Sequence, residues 1–314
     1  MSLFIEGKKI LITGGAGTLG RAIIKRSTEE NWDCGITIFS RDAIKHAKIR
    51  AEFPLVQSVI GDIRDPNTLY NVMTGKDIVI HAAAVKHIPV SEINSIDTYE
   101  VNVQGSLNVC AAAAQLGTPH VLGISTDKAC GAANAYGATK YLMEKTFQEY
   151  ARLGLQTNYH LARYGNVLES TGSVIEAWRK AAELGRAIQI TDPGMTRFWI
   201  SPSQAVQYVL DSLDFESGQI YIPKMQGLSI GKLAIYTVGE AETVRVPMRP
   251  GEKMHETLLT VEEAHYAQVF GDAFFLLNPT TSERHEEPQP GAYLYTSDIA
   301  PELTKDELLE LLNG

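Results

Sequence analysis

The chain has 314 residues, 44% hydrophobic and 21% charged, with a formal net charge of −9 at pH 7. That length suffices for one large domain or one and a half, and the balance is that of an ordinary globular protein. The negative field argues against a general nucleic-acid surface, and an anionic ligand would need local cations or helix N-termini to hold it. Along the chain, strand-like runs are predicted at 9–13, 35–40, 56–61, 77–82 and 120–126, with helix-like runs at 19–30, 42–52, 66–73 and 97–116 between them. Short apolar strands alternating with helices predict an α/β fold: a doubly wound, mostly parallel (Rossmann) sheet covered on both faces. A helical pattern then runs to about Leu153, and a sixth strand is predicted at 158–164. Beyond Gly172 the segments shorten and turn signals crowd in, as at Asp192-Pro193-Gly194 and Arg249-Pro250-Gly251. The expected division is a dinucleotide-binding domain over 1–165 and a smaller substrate-binding lobe over 166–314, interleaved with the last sheet elements. Thr304-Lys305-Asp306-Glu307 reads as the capping box of a short terminal helix.

Cys34, Cys110 and Cys130 are scattered, with no CxxC and no histidine-rich spacing. This argues against a disulfide framework or a metal site and fits a reducing cytoplasm. No apolar run approaches the roughly 20 residues that span a bilayer, and the first nine residues carry neither a long apolar core nor a cleavage site. No membrane partner is expected.

The first strand leads into Gly14-Gly15-Ala16-Gly17-Thr18-Leu19-Gly20 and then a helix. Glycines at 14, 17 and 20 in that context form the turn that lets a pyrophosphate approach backbone N–H groups at a helix N-terminus, with Thr18 and Leu19 as further contacts. The second strand ends at Ser40-Arg41-Asp42, with Lys45 a turn later. Ser40, Arg41 and Lys45 supply a donor and two cations suited to a ribose 2′-phosphate, which points to NADP. Asp42 could instead face the ribose, as the acid of NAD enzymes does. Asp62, with Ile63 beside it, is placed to meet the adenine amino group or is simply a helix N-terminal acid. Ala82 and Ala83 let a ribose or nicotinamide pass close to the backbone. Lys86 is a ligand contact or a solvated loop residue, and Asn102 is a further expected cofactor contact.

Tyr136 and Lys140 lie one helical turn apart and share a face. An ammonium there would favour the phenolate and lower the tyrosine pKa, so Tyr136 can take a hydroxyl proton as hydride leaves the same carbon. Thr126, at the strand end, can hydrogen-bond that hydroxyl. Asp127 and Lys128 add what a simple dehydrogenase does not need. Oxidising C4 of a sugar acidifies the C5 proton; a partly neutral Lys128 can remove it, and Asp127 can protonate the C6 hydroxyl so that it leaves as water. The alternative for this pair is a loop salt bridge.

These residues together resemble the extended short-chain dehydrogenase/reductase superfamily. More narrowly they resemble its configuration-inverting UDP-N-acetylglucosamine 4,6-dehydratases of the PseB type, which begin pseudaminic-acid synthesis. The matching stretches include TGGAGTLG at 13–20, HAAAVKHIPVSE at 81–92, STDKA at 125–129, YGATK at 136–140, RYGNV at 163–167, ITDPGMTRFWIS at 190–201 and RPGEKMHETL at 249–258. The resemblance implies a UDP-sugar substrate, bound NADP, a 4-keto-6-deoxy product inverted at C5, and a homo-oligomer. It places Asn166 and Val167 against the substrate, and Arg197, Arg249 and Glu252 at its diphosphate or nucleoside end. One departure is the segment 130–135, where the family's proline is missing and a looser loop is expected. Two rival readings remain open: a UDP-sugar C4-epimerase, which has no use for Asp127-Lys128, and a non-catalytic NADP-binding regulator, which would not need Tyr136 or Lys140.

Overall fold

The computed structural model describes residues 5–170 and 172–313, so the start of the N-terminal stretch and Gly314 lie outside the described residues. Six parallel strands build the larger part of one sheet: β1 Lys8–Thr13, β2 Cys34–Ser40, β3 Gln57–Ile60, β4 Ile78–His81, β5 His120–Thr126 and β6 Asn158–Tyr164. Their spatial order is β3-β2-β1-β4-β5-β6, the crossover arrangement expected of the sequence pattern. Because helices cover both faces, the central strands are apolar on both sides. Ile10, Leu11, Ile12, Ile38, Val79 and Leu122 are buried, each contributing about 1.5–3 kcal/mol over the exposed side chain.

The covering helices are α1 Thr18–Glu29, α2 Ala43–Glu52, α3 Pro66–Met73, α4 Ile88–Ile93, α5 Ser95–Tyr99, α6 Gly105–Leu116 and α7 Ala135–Arg152. Acids cap two of them: Asp42 accepts from Ile44 N and Lys45 N, and Asp65 accepts from Asn67 N and Thr68 N. The helix expected over 97–116 starts at Ser95 and contains a wide π-helical turn, Glu100–Gln104, before α6. That turn brings Asn102 onto the loop after β4: its side chain accepts from Val85 N at 2.8 Å and donates to Val85 O at 2.9 Å.

The C-terminal part returns to the main sheet. Strand Ile220–Pro223 lies parallel to β6, Ala273–Leu276 antiparallel to it, and Ala267–Phe270 forms the edge, giving nine strands in all. The lobe also has its own core, which includes Leu168, Trp178, Ile188, Trp199, Leu228, Leu233 and Leu308. A three-stranded sheet of Asn166–Val167, Thr196–Ile200 and Gln226–Ser229 stands over the end of β6. The terminal helix Lys305–Asn313 carries the expected box: Thr304 N donates to Glu307 at 2.8 Å and Glu307 N to Thr304 Oγ1 at 3.3 Å. Among the described residues no helix is long and apolar enough to cross a membrane.

Candidate active site

At the carboxyl ends of the strands lies a cleft of about 690 Å³, lined by both parts of the chain. One end is built by the glycine turn. Gly14 has φ +67°, and a Cβ there would stand 2.7 Å from Ala83 N, so the turn and the loop after β4 touch through bare backbone. Gly17, Thr18, Leu19, Ser40, Arg41, Lys45, Ile63, Ala82, Ala83 and Lys86 share this wall. Burial, and then the charge of Lys45, pull the Lys86 ammonium below the usual lysine range, while Arg41 and Lys45 stand 3.6 Å from Asp62 and 3.7 Å from Asp42, respectively. Gly20 faces inward, where a Cβ would meet Gly15 O at 2.2 Å; it allows helix–strand packing and is absent from the wall.

Two expected cofactor contacts are placed elsewhere. The Asp62 carboxylate is taken by Arg64, at 2.6 Å, with Arg41 at 3.6 Å, and does not line the cleft. Asn102 is buried and spends its amide on the Val85 backbone and on Thr139 Oγ1. It shapes the loop after β4 and does not reach the cleft. Asp42 lines the cleft and at the same time caps α2 through Oδ1.

The other end of the cleft holds the reacting groups. Thr126 ends β5, a single turn at Asp127–Ala129 follows, and α7 runs beside it. Helix and turn approach this closely because residue 137 is glycine: a Cβ there would lie 2.1 Å from Lys128 O. Asn134 caps α7 by accepting from Gly137 N at 2.8 Å. Thr126, Lys128, Tyr136 and Lys140 all line the cleft, joined by Asn166 and Val167 from the other lobe. Thr126 Oγ1 donates to Asp127 Oδ1 at 2.8 Å, and Lys128 Nζ donates to Asp127 Oδ1 at 3.0 Å and to Asn166 Oδ1 at 3.1 Å.

Electrostatics reverse two expectations. Burial would lower the Lys128 pKa, but the carboxylates of Asp127 and Glu256 outweigh it and raise it, so Lys128 rests as an ammonium and not as a free amine. Burial pushes the Tyr136 phenol up to about 12, opposed by the charge of Lys128 and a hydrogen bond with Thr126; the helping cation is Lys128, not Lys140. Lys140 is 3% exposed, and its Nζ lies 2.9 Å from Met143 Sδ. Burial brings it down to about 7, with Glu144 opposing. A desolvated amine with a sulfur for company is suited to meet polar hydroxyls of a ligand in the cleft.

Arg197, Arg249 and Glu252 do not line the cleft. Arg197 is buried against Glu256 at 3.7 Å and Glu252 at 3.9 Å, and donates to the carbonyls of Thr196 and Met254. Glu252 closes its own turn by accepting from Arg249 N at 3.0 Å, and Arg249 is exposed. Segment 130–135 is not loose. Lys253 Nζ donates to Cys130 O at 2.9 Å, Asn134 Nδ2 to Gly251 O at 2.9 Å, and Ala135 N to Glu92 Oε1 at 2.6 Å.

Two features escape the sequence-level reading. One is Glu256, which sits within a motif of the C-terminal lobe yet reaches Lys128 Nζ at 3.6 Å. The other is a buried chain beneath the site: Ser125 Oγ donates to Glu144, Arg163 bridges Glu144 at 2.7 Å and Glu263 at 2.8 Å, and Cys130 Sγ donates to Glu263. It ties β5, α7 and β6 to the C-terminal lobe. No spacing rule joins these positions, though an arginine inside a strand of apolar neighbours signals a buried partner.

The chain matches the family described as polysaccharide biosynthesis protein over residues 10–278. It is 34% identical to the inverting UDP-N-acetylglucosamine 4,6-dehydratase of Campylobacter jejuni, with 98% of each chain covered. It is also 34% identical to a UDP-glucose 4-epimerase of Rickettsia bellii, covering 87% of this chain and 83% of that one. The crystal structure of Pen from Bacillus thuringiensis superposes with a TM-score of 0.90 at 29% identity, covering 99% of this chain and 100% of that one. DesIV, a dTDP-glucose 4,6-dehydratase from Streptomyces venezuelae, shares the fold at 21% identity and a TM-score of 0.69, with 78% of this chain and 82% of that one covered. Fold, cleft and relatives agree: the chain belongs to the polysaccharide biosynthesis protein family, with a Rossmann fold of the short-chain dehydrogenase/reductase type.

Proposed function

We propose that the protein is a C5-inverting UDP-N-acetylglucosamine 4,6-dehydratase that uses NADP, acting in the cytoplasm at the start of a pseudaminic-acid type route. The observation that carries the reading is the Asp127–Lys128 pair, 3.0 Å apart: Lys128 lines the cleft beside Tyr136 and Thr126, and Asp127 lies fully buried directly behind it, accepting from both Thr126 and Lys128. The glycine turn suits a dinucleotide, and Ser40, Arg41 and Lys45, a donor and two cations lining the same cleft, favour the 2′-phosphate form. Titrating both cofactors checks this; tighter binding of NAD would reverse the assignment.

When bound, the nicotinamide supplies an acceptor for the C4 hydride and later a donor to C6. Once Tyr136 has given its own proton to solvent, its phenolate, held by the charge of Lys128, takes the C4 hydroxyl proton, with Thr126 holding that oxygen. The charged state of Lys128 fits the next step once it is seen as half of a pair. Moving one proton from Lys128 Nζ to Asp127 yields a neutral amine and a carboxylic acid, the base and acid the elimination needs. The amine then takes the C5 proton acidified by the C4 ketone, and Asp127 protonates the C6 hydroxyl, which departs as water. Lys128 ends protonated and Asp127 ionised, so the elimination restores the resting pair; hydride return to C6 leaves an enolate at C5, which takes a proton from solvent on the opposite face and so inverts that carbon.

A UDP-sugar C4-epimerase is the second reading. It is favoured by the resting ammonium of Lys128, since that reaction needs Tyr136 and no base at position 128. Mass spectrometry of the product formed from UDP-N-acetylglucosamine separates them. The dehydratase product is lighter by one water; a product of unchanged mass would establish the epimerase.

A further inference from the structure

Lys128 Nζ is enclosed by charge from both parts of the chain. The groups facing it are Asp127 from its own turn, Tyr136 from α7, Arg197 from strand Thr196–Ile200, and Glu256 from the segment before strand Thr257–Leu259; Asn166 Oδ1 completes the ring. Glu256 is 3% exposed. Its Oε1 lies 3.6 Å from Lys128 Nζ and 3.7 Å from Arg197 Nε, while its Oε2 has no hydrogen-bond partner. Its backbone N–H donates to Ser297 Oγ at 2.9 Å, which holds the residue in place. A buried carboxylate with one oxygen unmatched is costly, and what offsets that cost here is the two cations it faces, Lys128 and Arg197.

We propose that Glu256 is a positioning residue that holds Lys128 as an ammonium aimed at Asp127, so that the C-terminal lobe sets when the amine becomes free. A proton shift from Lys128 to Asp127 removes the cation that Glu256 faces, so a near Glu256 opposes the shift. Arg197 competes for the same oxygen. Displacement of Glu256 toward Arg197 loosens its hold on Lys128; displacement toward Lys128 tightens it. The consequence for turnover rests on the dehydratase reading, whereas the coupling between Glu256 and Lys128 does not.

Two measurements on the full chain test this. In the first, acetic anhydride labels lysines at fixed pH, and the rate at Lys128 is read by peptide mass spectrometry. Glu256→Gln should speed labelling of Lys128 by about tenfold, the equivalent of one pKa unit; Glu256→Asp, which keeps the charge, should restore most of the protection. Arg197→Gln should slow it, and this opposite sign is what a merely structural role would not give. An unchanged rate in folded Glu256→Gln overturns the proposal, and if that variant does not fold, an unchanged or faster rate in Arg197→Gln does so. In the second, the acid limb of kcat for water release should move to lower pH in Glu256→Gln, since less proton affinity remains to be overcome; an unmoved limb in an active variant counts against the proposal. Absence of water release from the unmodified protein would sink the dehydratase reading and leave the labelling result to decide the coupling.

Discussion

Each reacting side chain takes its chemical state from what lies within about 4 Å of it. Lys128 and Lys140 show this plainly: both are largely buried, yet two carboxylates hold one charged while the other, beside a sulfur, is brought down to about 7. Replacing Lys128 with alanine should abolish water loss while leaving cofactor binding intact. Product mass and a cofactor titration check the two halves, and near-normal turnover would refute its role as base. Tyr136→Phe should slow the first oxidation by roughly two to four orders of magnitude, the usual worth of a positioned base, seen as slower appearance of reduced cofactor after mixing with substrate. Tyr136 and Lys140 were legible because four residues on a helix return to one face. The resting charge of Lys128 was not, since one of its two carboxylates is contributed by Glu256, far along the chain.

Elements meet here at distances that leave no room for a side chain. Helix α7 lies against the Asp127–Ala129 turn through Gly137, and a methyl at that position would have to push the Lys128 carbonyl away. Gly137→Ala should therefore cost about 1–3 kcal/mol of stability, as overpacking does, and lower turnover further by moving Lys128 relative to Tyr136. Denaturant unfolding and kcat on the same preparation would show both; a stable, fully active variant would mean the contact is not required. Segment 130–135 teaches a related lesson. A missing proline frees the unfolded chain, but the native loop is held by Lys253, Asn134 and Glu92 whatever its own stiffness.

For the molecule as a whole, the buried histidines govern the response to acid. His81 lies inside the sheet between Thr13 and Ser106 hydroxyls, and burial, then the charge of Lys140, bring it down to about 3; His160 falls to about 4 through burial and the neighbouring His120. A histidine with a lowered folded pKa contributes stability that is complete above its unfolded pKa near 6.5 and is lost as pH falls toward the folded value. Unfolding free energy should thus drop between pH 6.5 and pH 5 by about 2 kcal/mol for each such imidazole, before acidic residues titrate. Denaturation midpoints at several pH values check this, and a flat profile over that interval would contradict it. Read alone, the sequence determined the alternating elements, the glycine turn, the capping box, and the cluster of Thr126, Asp127, Lys128, Tyr136 and Lys140, because each depends on periodicity or on residues a few positions apart. Only the tertiary structure decided the charge of Lys128, the inward turn of Arg197, the diversion of Asp62 and Asn102 to structural partners, and which late strands make the expected return to the main sheet. Those outcomes depend on burial and on ions brought together from distant segments, and no local pattern in the chain encodes a distance across the fold.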